Sequence, residues 1–259
     1  MPAPTNVFKY AISKNRQQIG CWLGIADGGA AELMALTGFD WLVIDGEHGP
    51  NDIRSICDQV RAIQVTDSHP VVRIPIGEAW MIKQVLDVGA QTVLVPMVET
   101  ADQAKDLVRA CRYPPVGIRG MGATGNRVSK FGEIADYVET ANDQVCLLVQ
   151  AESQTALDNL DEILAVVGVD GVFIGPADLS ADMGHPGNLD HPDVIDAIDD
   201  AIQRIHTAGK PSGILTLTSD SMRKYIEKSV TFVAVGIDTL ILANGARALS
   251  SEAKNMIKD

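Results

Sequence analysis

Two carboxylates end two consecutive apolar runs, and this placement is typical of a cation site. Glu152 ends the run "CLLVQAE", and Asp178 directly follows the next run, "GVFIGPA". If the two runs are neighbouring parallel strands, the side chains lie about 5 Å apart, and they repel each other unless a proton or cation lies between them. Oxygen ligands favour Mg²⁺, Mn²⁺ or Co²⁺ over structural zinc. The alternative is an N-cap by Asp178 and a salt bridge for Glu152.

A histidine and an arginine occupy comparable positions. His48 stands in "DGEHGP", beyond the second apolar run and close to Asp45. An imidazole that a carboxylate orients is a common general base near neutral pH, although a lone histidine more often has a structural role. Arg73 interrupts the apolar run "PVVRIP". A buried guanidinium requires an anionic partner, either a carboxylate of the fold or an oxyanion of a substrate.

The turn after the sixth apolar run predicts an anion-binding nest. Gly175, Pro176 and Ala177 end that run and Asp178 follows it, so that backbone N–H groups can point at an anion beside a carboxylate. None of the ten lysines ends an apolar run, and Lys210 precedes one. Schiff-base aldolases need a desolvated lysine near the substrate carbonyl. Carbonyl chemistry in this protein would therefore need a metal ion as the electron sink.

These residues need a scaffold that gathers the ends of many strands. Eight short runs rich in Val, Ile and Leu are typical of parallel strands covered on both faces. The runs cover residues 20–26, 41–47, 70–75, 92–98, 146–152, 171–177, 212–216 and 232–238. Amphipathic segments separate them, with Asn51 and Ser153 as predicted N-caps and an extra helix predicted around Lys130 to Thr140.

This alternation predicts an α/β protein with one (β/α)8 TIM barrel over residues 1–259. Functional groups of such barrels lie at the carboxyl ends of the strands, where the residues above fall. A doubly wound open sheet is the alternative, but no GxGxxG motif follows the first run.

The composition excludes several classes of partner. With 34 acidic and 21 basic side chains, the net charge is −13, so the surface repels phosphate backbones and nucleic acid is not expected to bind. No apolar stretch approaches the roughly 20 residues that cross a bilayer, and the first residues do not resemble a signal peptide. The four cysteines, Cys21, Cys57, Cys111 and Cys146, form no CxxC pair. We therefore predict a cytoplasmic protein without a disulfide or zinc site, acting on small molecules.

Six segments form an ordered set of motifs from about Gly20 to Leu249. They are "WLVIDGEHGPND", "IKQVLDVGAQTVLVPMVET", "RYPPVGIRG", "LLVQAES", "GVDGVFIGPADLSADMG" and "FVAVGIDT". The set closely resembles the HpcH/HpaI family of metal-dependent class II pyruvate aldolases. The resemblance implies a barrel of the phosphoenolpyruvate/pyruvate-binding type and reversible cleavage of 4-hydroxy-2-oxo acids to pyruvate and an aldehyde. Its name-giving member cleaves 4-hydroxy-2-oxoheptanedioate in aromatic catabolism, and decarboxylation of oxaloacetate is expected as a side reaction.

The resemblance also implies roles for individual residues. Glu152 and Asp178 match the ligands of a divalent metal ion, Mg²⁺, Mn²⁺ or Co²⁺. His48 matches the general base, Asp87 matches a carboxylate that raises its basicity, and Asp45 is expected to orient it. Arg73 is expected to stabilise developing negative charge. The predicted substrate-binding residues, including the nest, are Gln150, Gly175, Pro176, Ala177, Asp178 and Leu215.

Assembly and substrate choice are further expectations from the resemblance. The family implies a homohexamer, a trimer of dimers, in which the last helix is exchanged between subunits, and the apolar segment "IDTLILANGARALSSEAKNM" fits that arrangement. The loops "GMGATGNRVSKFG", "IADGGAAEL" and "LTLTSDS" depart from the family pattern and should face the aldehyde. The alternatives are a metal-dependent lyase acting on CoA thioesters of the citramalate type, for which no basic groove is evident, and a non-catalytic barrel.

Overall fold

The computed structural model describes residues 1–257, and eight parallel strands form a closed barrel within them. The strands are β1 (Gln18–Leu23), β2 (Trp41–Asp45), β3 (His69–Arg73), β4 (Thr92–Val95), β5 (Cys146–Ala151), β6 (Gly171–Ile174), β7 (Ser212–Leu215) and β8 (Phe232–Ile237). Each strand pairs with the next, and β8 pairs with β1. The predicted (β/α)8 barrel is confirmed. The predicted single domain also includes residues 258 and 259, which lie outside the described range.

Helices connect the strands and cover the outside of the barrel. They are α1 (Val7–Ser13), α2 (Gly28–Ala35), α3 (Ile53–Ile63), α4 (Ala79–Asp87), α5 (Ala101–Cys111), α6 (Tyr137–Gln144), α7 (Gln154–Asp158), α8 (Leu160–Leu164), α9 (Pro176–Asp182), α10 (Pro192–Thr207), α11 (Ser219–Glu227) and α12 (Asp238–Ile257). The apolar faces of α2 to α5 and of α7 to α11 pack on the outward side chains of the strands and form the larger hydrophobic core. Within residues 1–257, no helix combines the length and apolar character needed to cross a membrane.

Two local predictions are wrong, and one is confirmed. The N-cap of α3 is Asp52, whose side chain accepts from the backbone of Arg54 and Ser55, because Asn51 instead donates to the backbone of strand β2. The helix predicted around Lys130 to Thr140 begins later, as α6. Residues 130–132 all have positive φ angles, which a right-handed helix does not allow. Ser153 is the N-cap of α7, as predicted.

Aromatic side chains close the amino end of the barrel. Helix α1 places Phe8 beneath the strands, where its ring lies 5.6 Å from that of Trp41 and stacks on His69. Phe232 fills the space above, and a Cβ at Gly213 would overlap its ring, so only glycine fits there. This end of the barrel is therefore a packed core and not a pore.

Strand alternation carries polar side chains into the other end of the same interior. Val43, Val71 and Leu148 belong to the core inside the barrel. Side chains two residues apart on a strand share a face. The residues two positions further along these strands are Asp45, Arg73 and Gln150, all buried. The period of the strands thus gives the barrel an apolar floor and a charged mouth.

Candidate active site at the carboxyl end of the barrel

Arg73 is held by Asp45 of the neighbouring strand β2 and by Glu47, which lies just beyond the end of that strand. Its Nε and Nη2 atoms donate to Asp45 at 2.9 and 2.7 Å, and its Nη1 lies 2.7 Å from a carboxylate oxygen of Glu47. The ring of Trp22 lies under the guanidinium, 5.2 Å from its carbon. A guanidinium has five N–H donors, so this geometry leaves two of them for another acceptor. Both alternatives considered for Arg73 are therefore compatible with the site, since the ion pair leaves donors for a substrate.

Asp45 is ionised and fixes the loop that carries His48. Burial raises the pKa of Asp45, but hydrogen bonds and charge from Arg73 outweigh burial and lower the pKa below its ordinary value. Its Oδ1 also accepts from the backbone N–H groups of Glu47 and His48 at 3.0 and 3.2 Å. The contact with His48 is thus through the backbone. In the described chain the carboxylate makes no hydrogen bond to the imidazole, and its orienting effect acts on the loop.

His48 projects into the open mouth of the barrel. Its side chain is 67% exposed, and Nε2 lies 3.9 Å from the Glu47 carboxylate. Glu47 therefore lies between the base candidate His48 and the cation Arg73. Burial raises the pKa of Glu47, with Arg73 and His48 acting in the opposite direction. The imidazole is free to approach a substrate and has a carboxylate beside it.

Glu152 is a buried carboxylate whose environment resists its charge. One oxygen accepts from the backbone N–H of Met97 at 2.8 Å, and the other accepts from the Gln150 amide. Burial, together with repulsion from Asp178 and Glu47, raises the pKa of Glu152 to about 7. Two hydrogen bonds do not compensate for this desolvation, so the site favours a proton or a cation at Glu152.

Asp178 approaches Glu152 from the first turn of helix α9. The pairing of β5 with β6 aligns Ala151 with Ile174, so the residues that follow, Glu152 and Gly175, are also neighbours. A Cβ at Gly175 would overlap the Glu152 carboxylate, which explains why glycine begins this turn. Gly175 is the N-cap of α9 and no side chain caps the helix, so the N-cap alternative for Asp178 is wrong. Ala177 and Asp178 are exposed in this uncapped turn, and the anion nest there stays a prediction.

Gln150 and Leu215 complete the inner wall. The Oε1 atom of Gln150 is buried and has no hydrogen-bond partner, although its amide nitrogen is bonded to Glu152. A buried acceptor without a donor costs about 1–3 kcal/mol, and such an atom facing a site is a place for a ligand. Leu215 ends strand β7 and is half-buried against the inner core. Both residues belong to the inner wall at the carboxyl end of the barrel, and their contact with a substrate stays a prediction.

Asp87 is the one predicted site residue that the chain does not bring to this end. It is the last residue of α4, which runs from the carboxyl end of β3 back to the amino end of β4. There its carboxylate accepts from Arg119 at 2.8 Å and lies 3.4 Å from the amide of Asn126. Within a single chain, the predicted pairing of Asp87 with His48 is not made.

The comparisons with known proteins identify the family of the chain. The family model described as HpcH/HpaI aldolase/citrate lyase matches residues 18–245. The chain belongs to this family. A hydroxypyruvate/pyruvate aldolase of Roseovarius nubinhibens is 59% identical to it over 247 residues, covering 95% of this chain and 96% of that protein. A 4-hydroxy-2-oxo-heptane-1,7-dioate aldolase of Klebsiella pneumoniae subsp. pneumoniae is 54% identical over 246 residues, covering 95% and 93%.

A solved structure of the HpcH/HpaI family supports the fold directly. The structure of a family protein from Burkholderia cenocepacia superimposes with a TM-score of 0.93 at 39% identity, covering 96% of this chain and 100% of that chain. The predicted family and barrel are confirmed. The predicted enzyme class, a carbon–carbon lyase of the aldolase type, is confirmed as well, because the similar relatives bear aldolase names.

Three groups in the site have no role in the sequence-based prediction. Glu47 joins Arg73 to His48, Trp22 lies under the guanidinium, and the Met97 backbone N–H holds Glu152. Met97 has a φ of +53°, an uncommon conformation that marks a constrained turn after β4. Of these three, only Glu47 had a signal in the sequence, since it is a charged residue directly after a strand.

Proposed function

We propose that this HpcH/HpaI family member is a divalent-metal-dependent aldolase that reversibly cleaves 4-hydroxy-2-oxo acids to pyruvate and an aldehyde. One observation carries the proposal. The barrel mouth brings Glu152 and Asp178 together beside the Arg73 guanidinium and an accessible imidazole, His48. This set combines a cation site, a donor for a developing oxyanion and a base, which are the groups that aldol cleavage without a lysine requires.

The residues of the mouth fit a divalent cation. Glu152 and Asp178 offer oxygen ligands, the donors that Mg²⁺ and Mn²⁺ prefer and that Co²⁺ accepts. The raised pKa of Glu152 and the unpaired Oε1 of Gln150 indicate that protein groups alone leave this place unsatisfied. When bound, the cation supplies Lewis acidity to the 2-oxo group of the substrate. In the turns that follow the strands of residues 1–257, no lysine offers a Schiff base instead.

Each protein group at the barrel mouth would then have a separate role. His48 removes the proton of the C4 hydroxyl in cleavage, and in the aldol direction it takes a proton from C3 of pyruvate. The two spare N–H donors of Arg73 bind the oxygen on which negative charge develops. Backbone N–H groups of Ala177 and Asp178, at the uncapped start of α9, bind the substrate carboxylate. Decarboxylation of oxaloacetate needs only stabilisation of the developing negative charge, so loss of CO₂ from oxaloacetate is expected as a side reaction.

The substrate range follows from the relatives and from the loops. Relatives with both aldolase names are similar over nearly the whole chain, so we propose pyruvate or hydroxypyruvate as the 2-oxo product. 4-Hydroxy-2-oxoheptanedioate is the candidate substrate that would place the enzyme in aromatic catabolism. Within one chain, the loop at residues 120–132 lies at the amino end of the barrel, where Asn126 bonds to Asp87 and Arg127 bonds to the backbone of Val88, so, contrary to the prediction, it does not face the aldehyde at the mouth of the same chain. The segments 25–33 and 215–221 follow β1 and β7 at the carboxyl end, and they are the first places to look for aldehyde selectivity.

Several copies of the chain would complete the arrangement. Helix α12 leaves Leu240, Ile241 and Leu242 exposed, together with Leu249 and Met256 further along. We propose that this helix packs on another subunit of a homo-oligomer, for which the family suggests a hexamer. A role of Asp87 at His48 would require such an assembly, since one chain keeps the two residues at opposite ends of the barrel.

A cytoplasmic location is part of the same proposal. All four cysteines are free thiols, and Cys21, Cys111 and Cys146 are buried. Burial raises the pKa of the Cys21 and Cys111 thiols to about 12, so these thiols stay protonated and unreactive near neutral pH. This is the state of thiols in a reducing compartment.

A pyruvate-release assay tests the proposed function. The purified protein is treated with EDTA, and cleavage of a panel of 4-hydroxy-2-oxo acids is measured before and after Mg²⁺, Mn²⁺ or Co²⁺ is added. We expect activity to disappear with EDTA and to return with the cation. Full activity after metal removal, or trapping of pyruvate on the protein by borohydride, would show that a different chemistry operates.

A further inference from the structure

A second group of metal-ligating side chains lies outside the barrel mouth. His185, His191 and Asp193, here the His–His–Asp cluster, occupy the connection from α9 to α10 and the first turn of α10. Within residues 1–257 it is the single group of three or more His, Cys, Asp or Glu side chains whose ligand atoms all lie within 4.8 Å of one another. The function proposed above uses none of the three.

The backbone fixes the positions of these side chains. The N–H of His185 donates to the carbonyl of Ser180 at 2.7 Å, and the N–H of Asn188 donates back to the carbonyl of His185 at 3.0 Å. His191 is the N-cap of α10, and Pro192 follows as the first residue of the helix. A short ordered connection therefore presents the three side chains, which lowers the entropy lost when a ligand binds them.

The side-chain geometry is close to that of a metal site. Asp193 Oδ2 lies 3.7 Å from His185 Nε2 and 3.8 Å from His191 Nδ1. Tetrahedral ligands at about 2.1 Å from a zinc ion are about 3.4 Å apart, so these ligand atoms need to come only slightly closer together to bind one ion. The two imidazoles are stacked, with centroids 3.5 Å apart and planes at 13°, so at least one ring must rotate to direct its nitrogen at a shared ion.

The structure also shows what opposes binding and what offsets it. His191 Nδ1 accepts from the Asp193 backbone N–H at 3.3 Å, a long contact that a metal ion at this nitrogen would replace. The start of α10 carries a partial positive charge, which disfavours a cation. The Asp193 carboxylate in that first turn neutralises it, and Asp190 adds a second negative charge just before the helix.

We propose that the His–His–Asp cluster is a second metal site, selective for Zn²⁺, Co²⁺ or Ni²⁺ over Mg²⁺. Two imidazole nitrogens and one carboxylate oxygen suit these ions, whereas Mg²⁺ prefers oxygen ligands alone. The bound ion would tie the end of α9 to the start of α10. Since α9 carries Asp178 in its first turn and spans roughly 10 Å, the ion would brace the helix that holds one catalytic carboxylate.

Metal titration of a Glu152→Gln variant separates the two sites. The substitution disables the carboxylate pair at the barrel mouth, and calorimetry then follows the addition of Zn²⁺ to the metal-free protein. We expect one equivalent to bind, with shifted NMR signals of the His185 and His191 imidazoles, and no binding of Mg²⁺. Adding His185→Ala and His191→Ala to this variant should abolish the remaining equivalent.

Matched variants distinguish loss of the metal site from misfolding and from adventitious metal binding. Asp193→Asn should weaken Zn²⁺ binding strongly because it removes a ligand, while Asp190→Asn, in the same connection but outside the cluster, removes only a nearby charge and should weaken binding far less. The His185→Ala/His191→Ala protein should keep its Mg²⁺-supported pyruvate release, which shows that it is folded. The proposal is overturned if Glu152→Gln binds no Zn²⁺, or if binding persists without the two histidines.

Discussion

The two ends of the barrel differ in whether their buried ionisable groups are satisfied by the protein alone. At the amino end, His69 is buried against Phe8 and hydrogen-bonded to Thr92, and burial lowers its pKa to about 3, so it is neutral. At the carboxyl end, burial raises the pKa of Glu152 to about 7, next to other carboxylates and an unpaired amide oxygen of Gln150. The first end is complete without a ligand, while the second is left with charge that a cation would balance. Stability and function are thus separated along the barrel axis.

Among the effects that both reactions share, the largest is expected in Glu152→Gln. The amide keeps the shape of the side chain but removes its charge, so the metal site is lost and cleavage should fall by roughly 10²–10³-fold, as when one electrostatic group of a catalytic site is removed. Oxaloacetate decarboxylation should fall with it. Rates of both reactions with excess Mn²⁺ check this, and Glu162→Gln, an exposed carboxylate on α8, is the control. Wild-type rates in Glu152→Gln would contradict the assignment of this residue.

A smaller effect is expected for Arg73→Lys. Lysine keeps the positive charge but cannot bridge Asp45 and Glu47 through separate N–H groups, so kcat/KM should fall about 10-fold to 100-fold. The free energy of unfolding should fall by about 2 kcal/mol, because buried carboxylates lose hydrogen bonds. Urea titration measures the second quantity. Arg204→Lys, in an ion pair between outer helices, should change neither quantity substantially. If Arg73→Lys keeps the wild-type kcat/KM and free energy of unfolding, a positive charge alone is sufficient at this position.

The pH dependence of stability should have opposite signs at the two ends, and this is the smallest effect. Below pH 6.5 the unfolded chain protonates His69 while the folded chain stays neutral to about pH 3, so stability is lost as the pH falls. For Glu152 in metal-free protein, the folded chain takes up a proton near pH 7 and the unfolded chain near 4.5, so stability is lost as the pH rises.

Urea unfolding in EDTA at pH 5 and pH 8 checks both signs. Between pH 8 and pH 5, the wild type loses unfolding free energy because of the lowered pKa of His69, and His69→Gln does not. The free energy of unfolding of His69→Gln should therefore rise by about 1–2 kcal/mol relative to the wild type over this range. From pH 5 to pH 8, the free energy of unfolding of Glu152→Gln should rise by a similar amount relative to the wild type. Parallel pH curves for the wild type and both variants would contradict the contrast between the two ends.

The sequence predicted the architecture and most of the site for one physical reason. Parallel strands buried on both faces appear as short apolar runs, and a barrel collects whatever polar residue follows each run. Asp45, Arg73, Glu152 and Asp178 were found in this way. The exposure of His48 and its neighbour Glu47 depends on the shape of a loop, which apolar periodicity does not encode.

The features that the sequence missed depend on contacts between distant segments. The Met97 backbone N–H reaches Glu152 only because β4 and β5 are neighbours. Asn51 bonds to β2 and thereby leaves the N-cap position to Asp52, a choice between two adjacent polar residues that local preference cannot decide. Asp87 was placed near His48 by resemblance alone, and the direction of α4 puts it at the other end of the barrel.

The paired rates of His48→Ala test the central claim most directly. Retro-aldol cleavage needs a proton removed from the C4 hydroxyl, whereas decarboxylation of oxaloacetate has no proton to remove and needs only charge stabilisation. His48→Ala should therefore lose cleavage by roughly 10²–10⁴-fold, the contribution of a positioned base, and keep most of its decarboxylation. His206→Ala, on an outer helix, should retain both reactions. If His48→Ala binds metal normally yet loses both reactions equally, His48 is not the base and the division of roles at the barrel mouth is wrong.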